Sequence, residues 1–180
     1  MTSLAMSRFA DRLTALADRD RGVERLAADA ADLLREVLCL EHLLGPAERE
    51  PDPRHYRQHI LHVDPAGRFS VVALVWLPGQ GTPIHDHVAW CATGVLEGCE
   101  LEQRFEVATG CHRFALRRSD SAVNEFGAVS VLPPGHDIHE VRCHSGHRAI
   151  SLHVYGADIL RLGNSIHVRY DRRVVLPVSG

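Results

Sequence analysis

The chain has 180 residues, with 20 lysines and arginines, 23 aspartates and glutamates and a formal net charge of −3. At this length we expect one domain, residues 1–180, with enough buried apolar surface to be stable alone. The balanced charge argues against a nucleic-acid partner, and no lysine-rich run indicates a membrane surface. The longest strongly apolar run, Phe69 to Pro78, is too short to cross a bilayer.

The start of the chain and its cysteines favour the cytoplasm. The first residues, MTSLAMSRFADRLT, lack the basic and continuous apolar regions of a signal peptide. Five cysteines without a CxxC pair are typical of a reducing compartment rather than of a disulfide framework. We therefore predict a cytoplasmic protein, present as a monomer or a small homo-oligomer.

The first part of the chain is predicted to be helical. From about Ser3 to Leu44, apolar residues recur at three- and four-residue steps with charged residues between them. Gly45-Pro46 and the Glu-Pro-Asp-Pro run at 50–53 then end helical structure, with a one- or two-turn helix optional between them. Residues 1–50 are therefore predicted to form an N-terminal helical segment.

From Tyr56 onward, short apolar segments alternate with glycine- and proline-containing turns at intervals of roughly ten residues. The predicted strands are His59–Val63, Phe69–Leu77, Trp90–Leu96, Glu100–Val107, His112–Arg117, Val129–Leu132, His139–Cys143 and Ala149–Tyr155, with a weaker pair at Ser165–Tyr170 and Arg173–Val178. Many short, evenly spaced strands after a helical leader predict an all-β barrel or jelly roll over residues 56–180, with the helices packed outside.

Histidine is the unusual residue, with 13 in the chain. His85 and His87 are two residues apart, so on a strand both imidazoles point to the same face and can reach one metal ion. Taken alone, such a pair is more simply explained as polar strand residues. The surrounding residues change that balance: Gly79, His85, His87, Cys91 and Gly98 have the spacing of the first cupin motif.

The segment 127–139 resembles the second cupin motif, which supplies a further histidine ligand from a neighbouring strand. It contains Gly127, Pro133 and Gly135, followed by His136 and His139. The general cupin spacing falls between these histidines, at Ile138, whose side chain cannot bind a metal. His136 and His139 therefore compete for the ligand position, and the context His139-Glu140-Val141 favours His139.

Two further features narrow the resemblance within the cupins. The first motif usually has a glutamate ligand where this chain has Cys91, and downstream the alternate residues Ser151, His153 and Tyr155 share one strand face. Together they resemble the thiol dioxygenases of the cysteine dioxygenase family. The resemblance implies a cupin jelly-roll barrel that adds dioxygen to the sulfur of a small thiol.

Each functional position that the resemblance implies corresponds to a residue of this chain. The resemblance implies a ferrous iron, Fe(II), held by His85, His87 and His139. It also implies a catalytic relay through Ser151, His153 and Tyr155, with Cys91 at the position where some members carry a cysteine–tyrosine thioether. Three neutral imidazoles would leave open positions on the metal for a thiolate and dioxygen.

The identity of the thiol depends on what meets its carboxylate. The run Tyr56-Arg57-Gln58 has Gln58 where cysteine-specific members have an arginine, which resembles the glutamine type that prefers 3-mercaptopropionate. That type has a further arginine after the relay tyrosine, and Arg161 is the candidate here. Arg57 is the alternative, because an arginine in this position would indicate a preference for L-cysteine.

Two other functions are compatible with the motifs. A metal-binding cupin without oxygenase activity, acting as a sensor or carrier, would need the same histidines. A zinc- or manganese-dependent cupin isomerase would normally use the glutamate that Cys91 replaces.

Overall fold

A computed structural model describes residues 3–109, 114–134 and 137–176. Its helices are α1 (Leu4–Ala17), α2 (Val23–Val37) and α3 (Ile159–Leu162). Its strands are β1 (Arg57–Val63), β2 (Ser70–Trp76), β3 (Ile84–His87), β4 (Cys91–Glu97), β5 (Cys99–Val107), β6 (Leu116–Glu125), β7 (Val129–Leu132), β8 (His139–Cys143), β9 (Ala149–Tyr155) and β10 (Ile166–Tyr170).

The strands form two five-stranded sheets. The first sheet has the order β1-β2-β9-β4-β7, and the second has the order β10-β3-β8-β5-β6. All strand pairs within them are antiparallel. This arrangement confirms the predicted all-β cupin barrel with an N-terminal helical segment.

The helical segment is divided into two helices rather than continuing from residue 3 to residue 44. Ser3 caps α1 by accepting a hydrogen bond of 3.0 Å from the backbone N–H of Met6. The chain then turns before α2, with φ of 47° at Asp20 and 87° at Gly22. Gly22 adopts this φ without steric cost. The apolar periodicity of the sequence does not predict the break between the two helices. The optional short helix is a 3₁₀ turn at Ala47–Arg49.

Both faces of the first sheet are buried. Alternate residues of β2 and β9, such as Val71 and Leu152, pack against apolar residues of α1 and α2, such as Phe9 and Leu34. The residues between them point into the barrel. This sandwich explains why every residue of β2 and β9 is buried, and it places the relay strand deep in the molecule.

Two predicted strands need correction, and one strand was missed. A strand begins at Leu116 and runs to Glu125, whereas the prediction ended at Arg117, because the polar edge strand β6 lacks an apolar pattern. Residues 110–113, where that predicted strand began, lie outside the described residues. The short strand β3 was not among the predicted strands. The predicted strand at 173–178 is wrong in its described part, because the Asp171 side chain accepts the N–H of Arg173 and starts a 3₁₀ turn.

Within the described residues, no helix is both long enough and apolar enough to span a lipid bilayer.

Candidate metal centre and relay

Three histidines from neighbouring strands converge in the barrel. β3 carries His85 and His87, and β8 carries His139, which lies directly opposite His85 in the strand pairing. The potential ligand nitrogens all lie within 4.8 Å of one another, and all three residues are buried. The ring centroids are 4.7–5.1 Å apart. The alternation of side chains along β3 therefore brings both imidazoles to one point, as the sequence spacing predicted.

The outer nitrogens of the three rings all face hydrogen-bond acceptors. The Nδ1 atom of His85 lies 3.0 Å from the carbonyl oxygen of Pro83. The Nδ1 atom of His139 lies 2.9 Å from Glu102 Oε1, and that of His87 is bonded to the carboxylate of Asp137. Because these partners can only accept, each Nδ1 must carry the proton.

The inner nitrogens are therefore left with free lone pairs. The Nε2 atom of His139 is buried and, within the described part of the chain, has no hydrogen-bond partner. A buried nitrogen without a partner is costly unless something binds it. Three convergent lone pairs, each oriented by an outer hydrogen bond, match the arrangement found around protein-bound transition metals. The residues present thus fit a divalent metal ion.

The electrostatic environment keeps His85 neutral and the two carboxyl groups of the site ionised. Burial, reinforced by the neighbouring imidazoles, lowers the pKa of His85 to about 3. Burial raises the pKa of Glu102, but hydrogen bonds from His139 and Arg104 outweigh it and bring the pKa to about 2. At Asp137 burial raises the pKa, but the hydrogen bonds from His87 and the nearby imidazoles together outweigh it and lower the pKa. Neutral imidazoles beside carboxylates are the protonation states that metal binding requires.

The first sheet supplies a chain of neutral groups beside the triad. The Ser151 Oγ atom lies 3.0 Å from His153 Nε2, and the Tyr155 hydroxyl lies 3.3 Å from His153 Nδ1. The indole N–H of Trp76 on β2 donates a bond of 3.3 Å to Ser151 Oγ. The rings of Tyr155 and His87 are 5.7 Å apart, so the chain ends next to the triad.

Cys91 lies directly opposite Tyr155 on the neighbouring strand β4. Its sulfur is 3.7 Å from His153 Nδ1 and interacts with the Tyr155 hydroxyl. Burial raises the pKa of both the Cys91 thiol and the Tyr155 phenol. A protonated thiol and a protonated phenol therefore lie side by side at one end of the relay.

Two adjacent cavities lie at this cluster. A small inner cavity of about 20 Å³ is lined by the three histidines of the triad, by His153 and Tyr155, and by residues nearer the mouth. An outer cavity of about 740 Å³ shares Tyr56 and Ile166 with it and is also lined by Arg169. A small solute would therefore enter past Tyr56.

The structure separates the predicted carboxylate-binding residues. Arg57 and Gln58 are both exposed, but Gln58 lines the inner cavity together with Tyr56, whereas Arg57 lines neither cavity. Arg161 is exposed on α3 and is not among the residues that line either cavity. The competing ligand His136 lies outside the described residues.

Sequence reasoning missed the two carboxylates that orient the triad. Glu102 lies on β5, which pairs with β8, and Asp137 immediately precedes β8. A carboxylate is a usual partner for a metal-binding imidazole, which is the only signal that could have directed attention to them. Their positions become informative once the strand pairing is known.

The chain resembles known proteins in sequence and in structure. The sequence profile of the family described as cysteine dioxygenase type I matches residues 50–167. The oxalate decarboxylase of Lactobacillus farciminis, solved as a formate complex, is 17% identical with a TM-score of 0.50, over 67% of this chain and 33% of that one. At this identity the match bears on the fold alone.

Two shorter proteins have similar structures. A cupin superfamily protein from Desulfitobacterium hafniense DCB-2 is 15% identical with a TM-score of 0.48, over 66% of this chain and 93% of that one. A protein with a double-stranded β-helix domain from Klebsiella pneumoniae subsp. pneumoniae is 15% identical with a TM-score of 0.49, over 73% of this chain and 99% of that one.

Proposed function

Because this chain belongs to the cysteine dioxygenase type I family, we propose that it is an Fe(II)-dependent thiol dioxygenase. In this proposal the enzyme adds both atoms of dioxygen to the sulfur of a small carboxylate thiol and releases the sulfinic acid. The substrate is 3-mercaptopropionate, L-cysteine or both. The observation that carries the proposal is the triad of buried, convergent imidazoles with the Ser151–His153–Tyr155 relay ending beside it.

The ligand set supports iron of this reactivity. His85, His87 and His139 contribute three neutral nitrogens, while the nearby carboxylates are engaged with the outer ring nitrogens. A three-ligand site of this kind has room for exogenous groups. Ferrous iron held there would supply the redox chemistry of oxygenation and would favour the ionised form of the substrate thiol.

The relay residues hold a proton at the edge of the cavity. Burial raises the pKa of Tyr155, so its phenol stays protonated and is a hydrogen-bond donor. Burial also lowers the pKa of His153 to about 3, so this ring stays neutral and has one donor and one acceptor nitrogen. Ser151 and Trp76 fix the far side of the ring. We infer that Tyr155 donates to the reacting oxygen while His153 fixes its orientation.

For the substrate carboxylate we propose Gln58, assisted by Arg169. Gln58 lines the inner cavity and offers a neutral amide. Arg169 lines the adjoining outer cavity beside Tyr56, where burial raises the pKa of the phenol and the charge of Arg169 partly opposes that rise. A neutral amide close to the sulfur and a cation nearer the mouth suit a thiol with a carboxylate and no required amino group. This arrangement supports 3-mercaptopropionate as a substrate.

The same geometry supports a thioether between Cys91 and Tyr155. Forming the C–S bond removes the thiol hydrogen and one ring hydrogen, and dioxygen accepts the two electrons and two protons. We therefore expect a fraction of the purified protein to be lighter by two hydrogens in intact-mass analysis. Cys91→Ser should abolish this deficit, whereas Cys39→Ser, at an exposed cysteine, should keep it. An unchanged mass after aerobic turnover would mean that the two side chains only pack together.

The rival is a metal-binding cupin that senses or carries metal without oxygenation. To separate the two, the protein is loaded anaerobically with ferrous iron, and oxygen uptake is followed with 3-mercaptopropionate, L-cysteine and a thiol without a carboxylate. The proposal predicts oxygen uptake matched by loss of a carboxylate thiol and formation of its sulfinic acid. Iron binding without thiol-dependent oxygen uptake would favour the rival.

A further inference from the structure

Glu100 is a buried carboxyl that the proposed reaction does not yet use. It lies on β5, two residues before Glu102, and faces Cys143 on β8. Only 4% of its surface is exposed, and its Oε1 atom has no hydrogen-bond partner within the described residues. A buried carboxyl oxygen without a partner costs free energy, so its presence requires an explanation.

The carboxyl of Glu100 reaches from the second sheet to the relay on the first. The hydroxyl of Ser151 and the indole of Trp76 are the polar groups beside this carboxyl, and both act to lower its pKa. Burial outweighs them and raises the pKa of Glu100 to about 7. These two neighbours are also the first two members of the chain that runs through His153 to Tyr155.

Within the part of the chain that the structure describes, no cation is among the groups that act on this carboxyl. The titratable groups around it are Glu102 on its own strand, Cys143 on β8 and Tyr155 on β9. Glu102 raises the pKa of Glu100, as a neighbouring carboxylate must, and the thiol and phenol are neutral near neutral pH. Glu100 is therefore the group at the inner end of the relay that can gain or lose a proton near neutral pH.

We propose that Glu100 is a positioning residue whose protonation state sets the direction of every hydrogen bond from Ser151 to Tyr155. Its consequence for turnover rests on the proposed dioxygenase function. Each group in the relay has a fixed number of donor and acceptor positions. Trp76 can only donate to Ser151, and a serine hydroxyl has one donor and two acceptor positions.

With Glu100 ionised, the Ser151 hydroxyl donates to the carboxylate. Its oxygen then accepts from Trp76 and from His153 Nε2–H, which leaves His153 Nδ1 as an acceptor. The Tyr155 O–H donates to that nitrogen, so the phenol proton points into the relay and away from the cavity.

With Glu100 protonated, every bond except the one from Trp76 is reversed. One proton from solvent is taken up, and the carboxyl O–H donates to Ser151, whose hydroxyl now donates to His153 Nε2. The ring proton resides on Nδ1 and is donated to the Tyr155 oxygen. The phenol proton is then free to point into the cavity, which is the arrangement that the proposed reaction needs.

The direct test is the position of the His153 ring proton, read by ¹⁵N NMR of histidine-labelled, metal-free protein. Between about pH 5.5 and about pH 8.5, His153 should change from the Nδ1–H to the Nε2–H tautomer with a midpoint near 7. Glu100→Gln cannot titrate and should remove the transition. Glu125→Gln, at an exposed position on β6, should keep it.

A second variant removes the hydrogen-bonding link between Glu100 and His153 without changing the carboxyl group. Ser151→Ala should leave Glu100 free to titrate but uncouple it, so the His153 tautomer should no longer follow pH. This variant keeps the test decisive if Glu100→Gln does not fold. A His153 tautomer that is constant with pH in the native protein, or that titrates equally in Ser151→Ala, would overturn the inference.

Turnover gives the second readout. In the iron-loaded native protein, kcat should fall by up to about thirtyfold between pH 6 and pH 8.5 as a single group with a pKa near 7 loses its proton. In Glu100→Gln this decline should vanish. A tautomer change in a protein that oxidises no thiol would refute the proposed function alone, whereas pH-independent tautomers in an active dioxygenase would refute this inference alone.

Discussion

The two sheets of the barrel contribute opposite kinds of chemistry to one site. The second sheet carries the histidine triad, and ionised Glu102 and Asp137 hold two of its three rings. The first sheet carries the relay, in which Tyr155 and His153 are held in their neutral forms by burial. Charge is thus placed where a cation would bind, and neutral hydrogen-bonding groups are placed where oxygen would react.

The difference follows from how each sheet is covered. The first sheet lies between the helices and the barrel interior, so a charge on its inner face would be far from water. In the second sheet, Glu102 reaches partly exposed Arg104, with N–O distances of 3.1 and 3.2 Å. An ionised carboxylate can therefore persist beside the triad, but not beside Tyr155. Glu100, which belongs to one sheet and contacts the other, is the exception.

The largest effect should come from removing a histidine of the triad on the second sheet. His85→Ala removes one of three convergent nitrogens, and the two that remain should not hold iron through gel filtration. Iron per chain, measured by elemental analysis after anaerobic loading, should fall to background. His147→Ala, at an exposed histidine, should bind as much iron as the native protein. Full iron content in His85→Ala would mean that the triad is not the metal site.

A substitution in the relay on the first sheet should lower the turnover rate without changing the metal content. Tyr155→Phe keeps the buried ring but removes its hydroxyl, so turnover should fall by ~10²–10⁴-fold, as for other positioned proton donors. Iron content should match the native protein, because no triad residue is changed. Steady-state rates at saturating thiol and oxygen check this prediction. A native-like rate would exclude the phenol as the donor.

A milder substitution on the second sheet should weaken iron binding rather than abolish it. Glu102→Gln keeps a group near His139 Nδ1 but replaces the ionised partner with a neutral one, so iron affinity should fall by ~10–100-fold. Competition with a chelator measures that affinity. Glu106→Gln, on the same strand but exposed, is the matched control. Equal affinities in the two variants would show that Glu102 does not orient the ligand.

The smallest effect is expected at Gln58, which lines the inner cavity. Gln58→Arg places a charged donor where an amide stood, and a hydrogen bond to a charged group contributes about 1.4 kcal/mol more than a neutral one. The ratio of kcat/KM for L-cysteine over 3-mercaptopropionate should therefore rise by about tenfold. Arg57→Gln, at the exposed neighbouring position, should leave the ratio unchanged. A shift in Arg57→Gln instead would assign the carboxylate to Arg57.

The sequence predicted the barrel and the cluster because both depend on short-range regularities. Alternation on a strand places His85 beside His87 and brings Ser151, His153 and Tyr155 to one face. Strand spacing and turn residues are sufficient to recognise a barrel. The single domain and the cytoplasmic location remain predictions.

The missing parts depend on strand pairing, which no local pattern encodes. Glu102 meets His139 because β5 pairs with β8, and Glu100 meets Ser151 because two sheets close on each other. Polar β6 is a strand because β5 provides its partner, although its own residues show no alternation. Arg161 follows the relay tyrosine in sequence, but α3 presents it to solvent.

The central claim is that this site transfers both atoms of dioxygen to sulfur. The most direct measurement is turnover of 3-mercaptopropionate by the iron-loaded protein under ¹⁸O-labelled dioxygen, with mass spectrometry of the product. The account predicts a sulfinic acid that carries two labelled oxygen atoms. A product with one labelled atom or none, or a disulfide in place of the sulfinic acid, would contradict it.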